Sequence, residues 1–153
     1  MKLTPLALAA TQCAFTAHAQ QEDDCPSDDE SAAHILAAQA ALPNNIGRWD
    51  PDVSLRGKAM TRMRNDPVRI SNRDTSKMLC EQRFPGQEDG GKDCDEYPFA
   101  STYQGASLVP EDQMSVRYLD SSDNRRVGGR LGQFYCGSNR IVDGEEFWVR
   151  ITP

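Results

Sequence analysis

The cysteines of this chain constrain its fold more than any other feature, and their number depends on how the N-terminus is interpreted. Lys2, the mostly apolar stretch 3–17 and the sequence Ala17-His18-Ala19 are typical of a secretory signal with a small-residue cleavage site. Cleavage after Ala19 would make residues 1–19 a signal peptide. We therefore predict an exported mature chain that starts at Gln20. Of the five cysteines, Cys13 would leave with the signal, so four would remain.

An even number of cysteines in an exported chain of this length predicts two disulfides, for which three pairings are possible. We favour Cys80–Cys94, which would close a short Gly-rich loop, and Cys25–Cys136, which would attach the N-terminal arm to the body. No C-x-x-C pair is present, so a zinc site built from these cysteines is disfavoured. We therefore expect one small disulfide-stapled domain that has no membrane span once the signal is cleaved.

Negative charge is concentrated at the start of the mature chain. The formal net charge is −6, and residues 20–30 hold a dense run of Asp and Glu. We expect this segment to be an acidic, flexible arm and residues 31–153 to form the folded domain. The domain itself is close to neutral, so its overall charge does not indicate nucleic-acid binding, and any phosphate binding must come from a local patch.

Residue patterns predict an α+β domain with a short antiparallel sheet packed on helices. Helices are expected over 31–42, capped by Asp29 or Ser31, over 68–83, with Asp66 as the cap, and from 124 onward. Strands are expected over 60–64, 94–103, 114–119 and 145–152. The pair Gly128-Gly129 lies inside the third helix and suggests close approach of another backbone.

Histidine chemistry is disfavoured, because His34 is the only histidine left after signal cleavage. It lies on an Ala-rich helix, far in sequence from any polar cluster, so a surface or packing role is favoured over catalysis. This argues against Ser-His-Asp and Cys-His nucleophiles and against a His-rich zinc site. A metal in this chain is expected to have oxygen ligands, which favours Mg²⁺, Mn²⁺ or Ca²⁺.

The adjacent carboxylates Asp95 and Glu96 lie in the most distinctive segment of the chain. They follow Cys94 and precede the aromatic-proline-aromatic sequence 97–99. On an extended backbone the two side chains point to opposite faces, so they are expected to have different roles. Taken alone, the pair is more simply interpreted as an exposed acidic turn.

A second polar group surrounds the start of the third predicted helix, in the sequence 121–126. Asn124 offers a side-chain oxygen for a metal or for capping, and Arg117 and Arg125 supply positive charge near a helix N-terminus, where phosphates bind readily. Taken alone, this group is more simply interpreted as a helix cap with solvated arginines.

Together these segments resemble the secreted NucA/NucB-type deoxyribonucleases. Five motifs carry the resemblance, in the order C-D-E-Y-P-F-A-S-T-Y-Q-G-A, S-V-R-Y, S-S-D-N-R, L-G-x-F-Y and F-W-V-R-I. The resemblance is firmest over about 92–153 and continues more weakly through Asn72-Arg73, the sequence 60–62 and the sequence 33–35.

The resemblance implies a ββα-metal nuclease core, in which two strands and a helix surround one divalent cation, with Mg²⁺ or Mn²⁺ the most expected. It implies that Asp95 takes the place of the histidine general base of other ββα-metal nucleases. Asn124 is implied as a metal ligand, and Glu96 as a metal ligand or a carboxylate that supports the ligands. Arg117 and Arg125 would then hold the scissile or an adjacent phosphate.

The resulting expectation is a secreted, monomeric, metal-dependent endonuclease that hydrolyses DNA with little sequence preference. One alternative is a nuclease that prefers RNA, and another is a non-catalytic secreted effector or binding protein on the same scaffold. A third is a toxin domain whose segment 20–41 restrains activity until it is removed. An inhibitor protein of unknown identity would be a further partner.

Overall fold

The computed structural model describes residues 15–16, 29–88, 90–136 and 141–152. Cys13, His18, Cys25 and most of the predicted signal and acidic arm lie outside the described residues, so those predictions stay open. The short strand 15–16 falls within the predicted signal, and cleavage after Ala19 would remove it.

Within these ranges the chain forms three helices and six short strands, so the α+β prediction is confirmed. The helices are α1 (Asp29–Ala41), α2 (Asp66–Arg83) and α3 (Ser121–Cys136). The strands are β1 (Phe15–Thr16), β2 (Met60–Thr61), β3 (Lys92–Tyr97), β4 (Ser115–Asp120), β5 (Glu146–Phe147) and β6 (Ile151–Thr152). None of the helices in the described part of the chain has the length and apolarity needed to cross a membrane.

The strands pair two by two, and the antiparallel pair of β3 and β4 is the longest. β2 pairs antiparallel with β5, and β1 pairs parallel with β6. Because α3 begins directly after β4, the chain runs strand, strand, helix through β3, β4 and α3. This is the order that the sequence predicted for the core.

The β3–β4 sheet lies between α1 and α2, both of which contact it. Asp95 and Tyr97 of β3 contact side chains of α1, whereas Cys94 is bonded to α2. Consecutive side chains of a strand point to opposite faces, so the alternation along β3 assigns one face to each helix. The sheet is therefore covered on both sides.

Two apolar clusters correspond to these two faces. The larger one joins α1, α3 and the C-terminal strands, and its buried members include Ile35, Tyr97, Phe134 and Phe147. The smaller one joins α2 to β4 through Leu79, Cys80, Met114 and Val116. Burial of apolar surface at about 25 cal/mol per Å² makes these clusters the main favourable contribution to folding.

Helix α1 begins at Asp29, earlier than the predicted start, and it is anchored at that end. The backbone N–H of Ser31 donates to Asp123 Oδ2 (3.2 Å), and Glu30 Oε2 accepts from the N–H of Asp120 (3.0 Å). Ser31 therefore lies inside the helix and is not its cap.

Helix α1 also contributes Ile35 to the core, so removal of segment 20–41 would disrupt the fold. This argues against the alternative in which that whole segment is a removable restraint.

Several predicted boundaries were wrong. Asn65 caps α2 by accepting from the N–H of Val68 (3.3 Å), so the expected cap Asp66 is already in the first turn. The predicted strands 60–64 and 145–152 are shorter in the structure, and the second is interrupted. Gly128-Gly129 has no close backbone neighbour, since a Cβ at either position would meet no atom within 4 Å.

The Cys80–Cys94 disulfide predicted from the sequence is present and joins α2 to β3 across a separation of 14 residues. Cys136, at the end of α3, is an exposed free cysteine. Because Cys25 lies outside the described residues, the Cys25–Cys136 disulfide stays a prediction.

Replacement of both cysteines, Cys80→Ala with Cys94→Ala, should lower the free energy of unfolding by about 3 kcal/mol, because the unfolded chain regains the entropy of a loop of this length. Urea denaturation followed by circular dichroism measures the change. Added reductant should not destabilise this double variant further unless Cys25 and Cys136 also pair. Equal stability of the double variant and the parent protein would contradict the prediction.

Candidate functional site

A cleft of about 710 Å³ runs along β3 between α2 and α3. β3 pairs only with β4 among the described strands, so its other edge is open, and side chains from both of its faces reach the cleft. The polar and charged side chains that line the cleft are Arg62, Arg69, Arg73, Lys77, Asp93, Asp95, Glu96, Ser101, Asn124, Arg125 and Tyr135.

Four of the residues singled out from the sequence lie together in this cleft. Asp95 and Glu96 are on β3, and Asn124 and Arg125 are in the first turns of α3. Arg117 is not among the cleft residues: it is exposed on β4, opposite Asp95 in the register. The role of Arg117 in catalysis and phosphate binding therefore stays a prediction, and the geometry adds no support to it.

Asp95 is buried and is held by a histidine that the sequence did not connect with it. His34 Nδ1 of α1 lies 2.7 Å from Asp95 Oδ2, and His34 Nε2 lies 2.9 Å from Ser115 Oγ of β4. Asp95 is 8% exposed and His34 is 2% exposed. His34 is therefore packed in the interior, as the sequence favoured, and it also makes two polar contacts that join α1 to both strands of the sheet.

Glu96 is partly buried beside Asp95. Burial raises its pKa to about 8, and the negative charge of Asp95 acts in the same direction. The N–H of Ala100 donates to Glu96 Oε1 (3.3 Å), and the positive charges of Arg73 and Lys77 also lower the pKa, but they do not outweigh burial. Glu96 is therefore mostly protonated at neutral pH, and its ionised form is poorly compensated by the charges around it.

Arg125 is already engaged by an acidic neighbour. Its Nε donates to Asp93 Oδ2 (2.9 Å) and its Nη2 to Asp93 Oδ1 (3.3 Å). The bond to Arg125 holds the pKa of Asp93 below its usual value. An incoming phosphate would have to compete with this carboxylate for Arg125, so the residue is a weaker phosphate ligand than the sequence suggested.

A row of basic residues on α2 was missed in the sequence. Arg69, Arg73 and Lys77 are spaced four residues apart and line the cleft together. Residues at i, i+4 and i+8 share one face of a helix, so the spacing itself could have revealed the row. Arg69 is also paired with Asp66 (3.1 Å), whereas Arg73 and Lys77 are exposed.

The segment that follows β3 is fixed to α2 by one buried amide. Asn72 Nδ2 donates to the carbonyl of Ala100 (2.8 Å), and Asn72 Oδ1 accepts from the N–H of Ser107 (3.0 Å). Gly105 lies against this amide, where a Cβ would collide with it. Because Ala100 also donates to Glu96, Asn72 helps to set the position of a cleft carboxylate.

The side chains that line the cleft determine whether it fits a divalent cation. Among the described residues, no group of three or more His, Cys, Asp and Glu side chains is placed to hold a metal. Glu96 and Asn124 nevertheless offer two oxygen ligands in the cleft, and a cation there would supply the positive charge that the ionised form of Glu96 lacks. Mg²⁺ commonly binds through one or two carboxylates and keeps several waters, so this sparse oxygen set fits Mg²⁺ or Mn²⁺ better than zinc.

Comparison with known families gives a match over most of the chain. The family described as deoxyribonuclease NucA/NucB matches residues 54–150. The chain belongs to this family. The match includes β3, β4, α3 and every cleft residue named above, and the resemblance found in the sequence is confirmed. No curated protein matches the chain in a sequence search.

Membership of the NucA/NucB family implies a deoxyribonuclease, and hence a hydrolase that acts on DNA. The matched residues begin after α1, so His34 lies outside them. The contact between His34 and Asp95 is therefore visible only in the structure.

Replacement Asn72→Ala should lower the free energy of unfolding by about 1–3 kcal/mol, because the buried carbonyl of Ala100 loses its donor and the N–H of Ser107 loses its acceptor. Urea denaturation measures this loss. Asn65→Ala, which removes the exposed cap of the same helix, is the matched control and should cost about 1 kcal/mol. A stability of Asn72→Ala equal to that of the parent protein would show that the amide does not anchor the segment.

Proposed function

We propose that this NucA/NucB domain is an exported, metal-dependent endonuclease that hydrolyses DNA with little sequence preference. The observation that carries the proposal is the cleft in which Asp95, Glu96 and Asn124 lie beside the basic residues of α2. Export is supported by the signal-like N-terminus and by the Cys80–Cys94 disulfide, since disulfides persist in oxidising compartments.

Substrate binding is assigned to the row on α2. Arg73 and Lys77 are exposed, line the cleft and lie near enough to Glu96 to lower its pKa. Basic side chains that contact phosphates position a nucleic acid without reading its bases. The cleft therefore favours binding to the backbone of the substrate and little discrimination between sequences.

Catalysis is assigned to Asp95 as the acceptor of the proton from the attacking water. Asp95 lines the cleft and is buried, so its carboxylate is held in one place and is shielded from bulk solvent. Glu96 and Asn124 would hold the divalent cation, which would act as a Lewis acid toward the phosphate and stabilise the charge that develops on it. Arg73 and Lys77 would hold the flanking phosphates while the bond is cleaved.

The decisive experiment is incubation of the purified protein with supercoiled plasmid DNA and with RNA, in Mg²⁺, in Mn²⁺ and in EDTA. DNA should be nicked with either metal and should remain intact in EDTA. Asp95→Asn should lower the nicking rate by about 10²–10⁴-fold, the usual contribution of general base catalysis. Asp112→Ala removes an exposed carboxylate outside the cleft and should leave the rate unchanged.

Undiminished nicking by Asp95→Asn, with a native circular dichroism spectrum, would overturn the assignment of the base. Faster cleavage of RNA than of DNA would change the substrate, and absence of cleavage of either would favour a binding protein on the same scaffold.

The row on α2 predicts how binding depends on salt. In an Asp95→Asn background, Arg73→Ala with Lys77→Ala should reduce the slope of log Kd against log salt by roughly 1 per residue, because each lost phosphate contact releases about one counterion fewer. Fluorescence anisotropy with labelled duplex DNA measures the slope. Arg83→Ala, on the same helix but outside the cleft, should not change it. An unchanged slope in the double variant would exclude the row from the substrate site.

A further inference from the structure

His34 is a buried polar side chain that connects α1 to both strands of the central sheet. The residue is 2% exposed, and its two ring nitrogens lie 2.7 Å from Asp95 Oδ2 and 2.9 Å from Ser115 Oγ. A buried polar group without a partner is costly, so both contacts are needed for this ring to be accommodated. The ring is therefore fixed at two points.

The chemistry of the three groups determines which atom donates. An ionised carboxylate only accepts hydrogen bonds, so His34 Nδ1–H is the donor to Asp95. The Ser115 hydroxyl can then donate to His34 Nε2, which is the acceptor of a neutral ring in this tautomer. A doubly protonated ring would donate to Ser115 Oγ instead, and in both arrangements the proton on Nδ1 is the one that Asp95 accepts.

The contact with His34 uses one oxygen of Asp95 and leaves the other for the cleft. Among the described residues, Oδ2 of Asp95 has a hydrogen-bond partner and Oδ1 has none. Asp95 also lines the cleft. A carboxylate that is held through one oxygen has a restricted rotation about its side-chain bonds, so the free oxygen is kept in a narrow range of positions.

Gln39 lies on the same helix as His34 and makes buried polar contacts that have only a structural role. Its Nε2 donates to the carbonyls of Gly47 (3.2 Å) and Val149 (3.1 Å) and to the hydroxyl of Tyr97 (3.1 Å). None of these partners lines the cleft. His34 differs because its contact ends on the cleft carboxylate to which proton abstraction is assigned.

We infer that His34 is a positioning residue, which holds the Asp95 carboxylate so that its free oxygen faces the attacking water. The inference rests on the proposed function, because it assigns Asp95 the role of base. Residues that orient the ligands of a metal site typically change activity by about 10–100-fold when they are replaced, and we expect an effect of this size from a residue that orients the base. A residue that orients the base should affect kcat, whereas the row on α2 should affect substrate binding.

Two replacements test the contacts of the two ring nitrogens separately. The amide nitrogen of asparagine occupies the place of Nδ1, so His34→Asn keeps a donor for Asp95 and loses the contact with Ser115. The amide of glutamine reaches the place of Nε2, so His34→Gln keeps the contact with Ser115 and loses the donor to Asp95.

With plasmid DNA and Mg²⁺, His34→Gln should lower kcat by about 10–100-fold with KM nearly unchanged. His34→Asn should stay within about fivefold of the parent kcat, because the carboxylate keeps its orienting bond.

Gln39→Leu is the control for loss of a buried polar contact on α1. It should lower the melting temperature, because the carbonyls of Gly47 and Val149 lose their donor, and it should leave kcat unchanged below that temperature. A second readout needs neither metal nor substrate: ¹⁵N NMR of the metal-free protein should show His34 protonated at Nδ1, with a resonance that shifts in Asp95→Asn.

Each outcome decides one assignment. A His34→Gln protein that keeps the parent kcat would overturn the positioning role. Equal losses of kcat in His34→Asn and His34→Gln that follow their melting temperatures would also overturn it, and so would a ring protonated only at Nε2. In all three cases the loss of nicking in Asp95→Asn would still support the proposed function. A parent protein that cleaves no DNA would overturn the proposed function, and the positioning role with it.

Discussion

The antiparallel pairing of β3 with β4 fixes the face of the sheet toward which each side chain of β3 points. The register places Asp95 opposite Arg117 and Glu96 opposite Val116, so the two adjacent carboxylates belong to different faces. A shift of one residue would exchange them, turning Asp95 toward α2 and away from His34. The disulfide at Cys94 holds the same strand against α2. The geometry of the cleft therefore depends on this one register.

Buried polar contacts of α1 select that register. Many apolar arrangements can bury the Ala and Ile side chains of this helix, but the contacts of His34 with Asp95 and of Gln39 with Tyr97 require these two residues of β3 to face α1. Apolar burial is not directional, whereas a buried polar group without its partner costs about 1–3 kcal/mol. The hydrophobic clusters thus supply stability, and the polar side chains of α1 add specificity for one alignment of helix and strand.

The sequence predicted the parts of the site that are local in the chain. Asp95 and Glu96, the strand-strand-helix order and the Cys80–Cys94 bridge all follow from residues close together or from recognisable motifs. The contact of His34 with Asp95 could not be predicted in this way, because it joins residues that are 61 positions apart. In addition, an Ala-rich helix has apolar side chains on every face, so the sequence did not indicate which face is buried. The row on α2 was predictable in principle, because spacing alone places its members on one face.

Local charge, and not net charge, determines whether this cleft can accept a polyanion. The chain carries a net charge of −6, yet the walls of the cleft contain Arg69, Arg73 and Lys77. At physiological ionic strength the screening length is about 8 Å, so exposed acidic residues farther away than this contribute little to the potential in the cleft. Three acidic residues, Asp93, Asp95 and Glu96, also line the cleft, and Asp93 is paired with Arg125. The ionised forms of Asp95 and Glu96 repel a phosphate in the absence of a cation. A divalent ion at Glu96 and Asn124 would reverse that repulsion, so the same carboxylates that oppose binding in the metal-free protein would permit it in the metal-bound one.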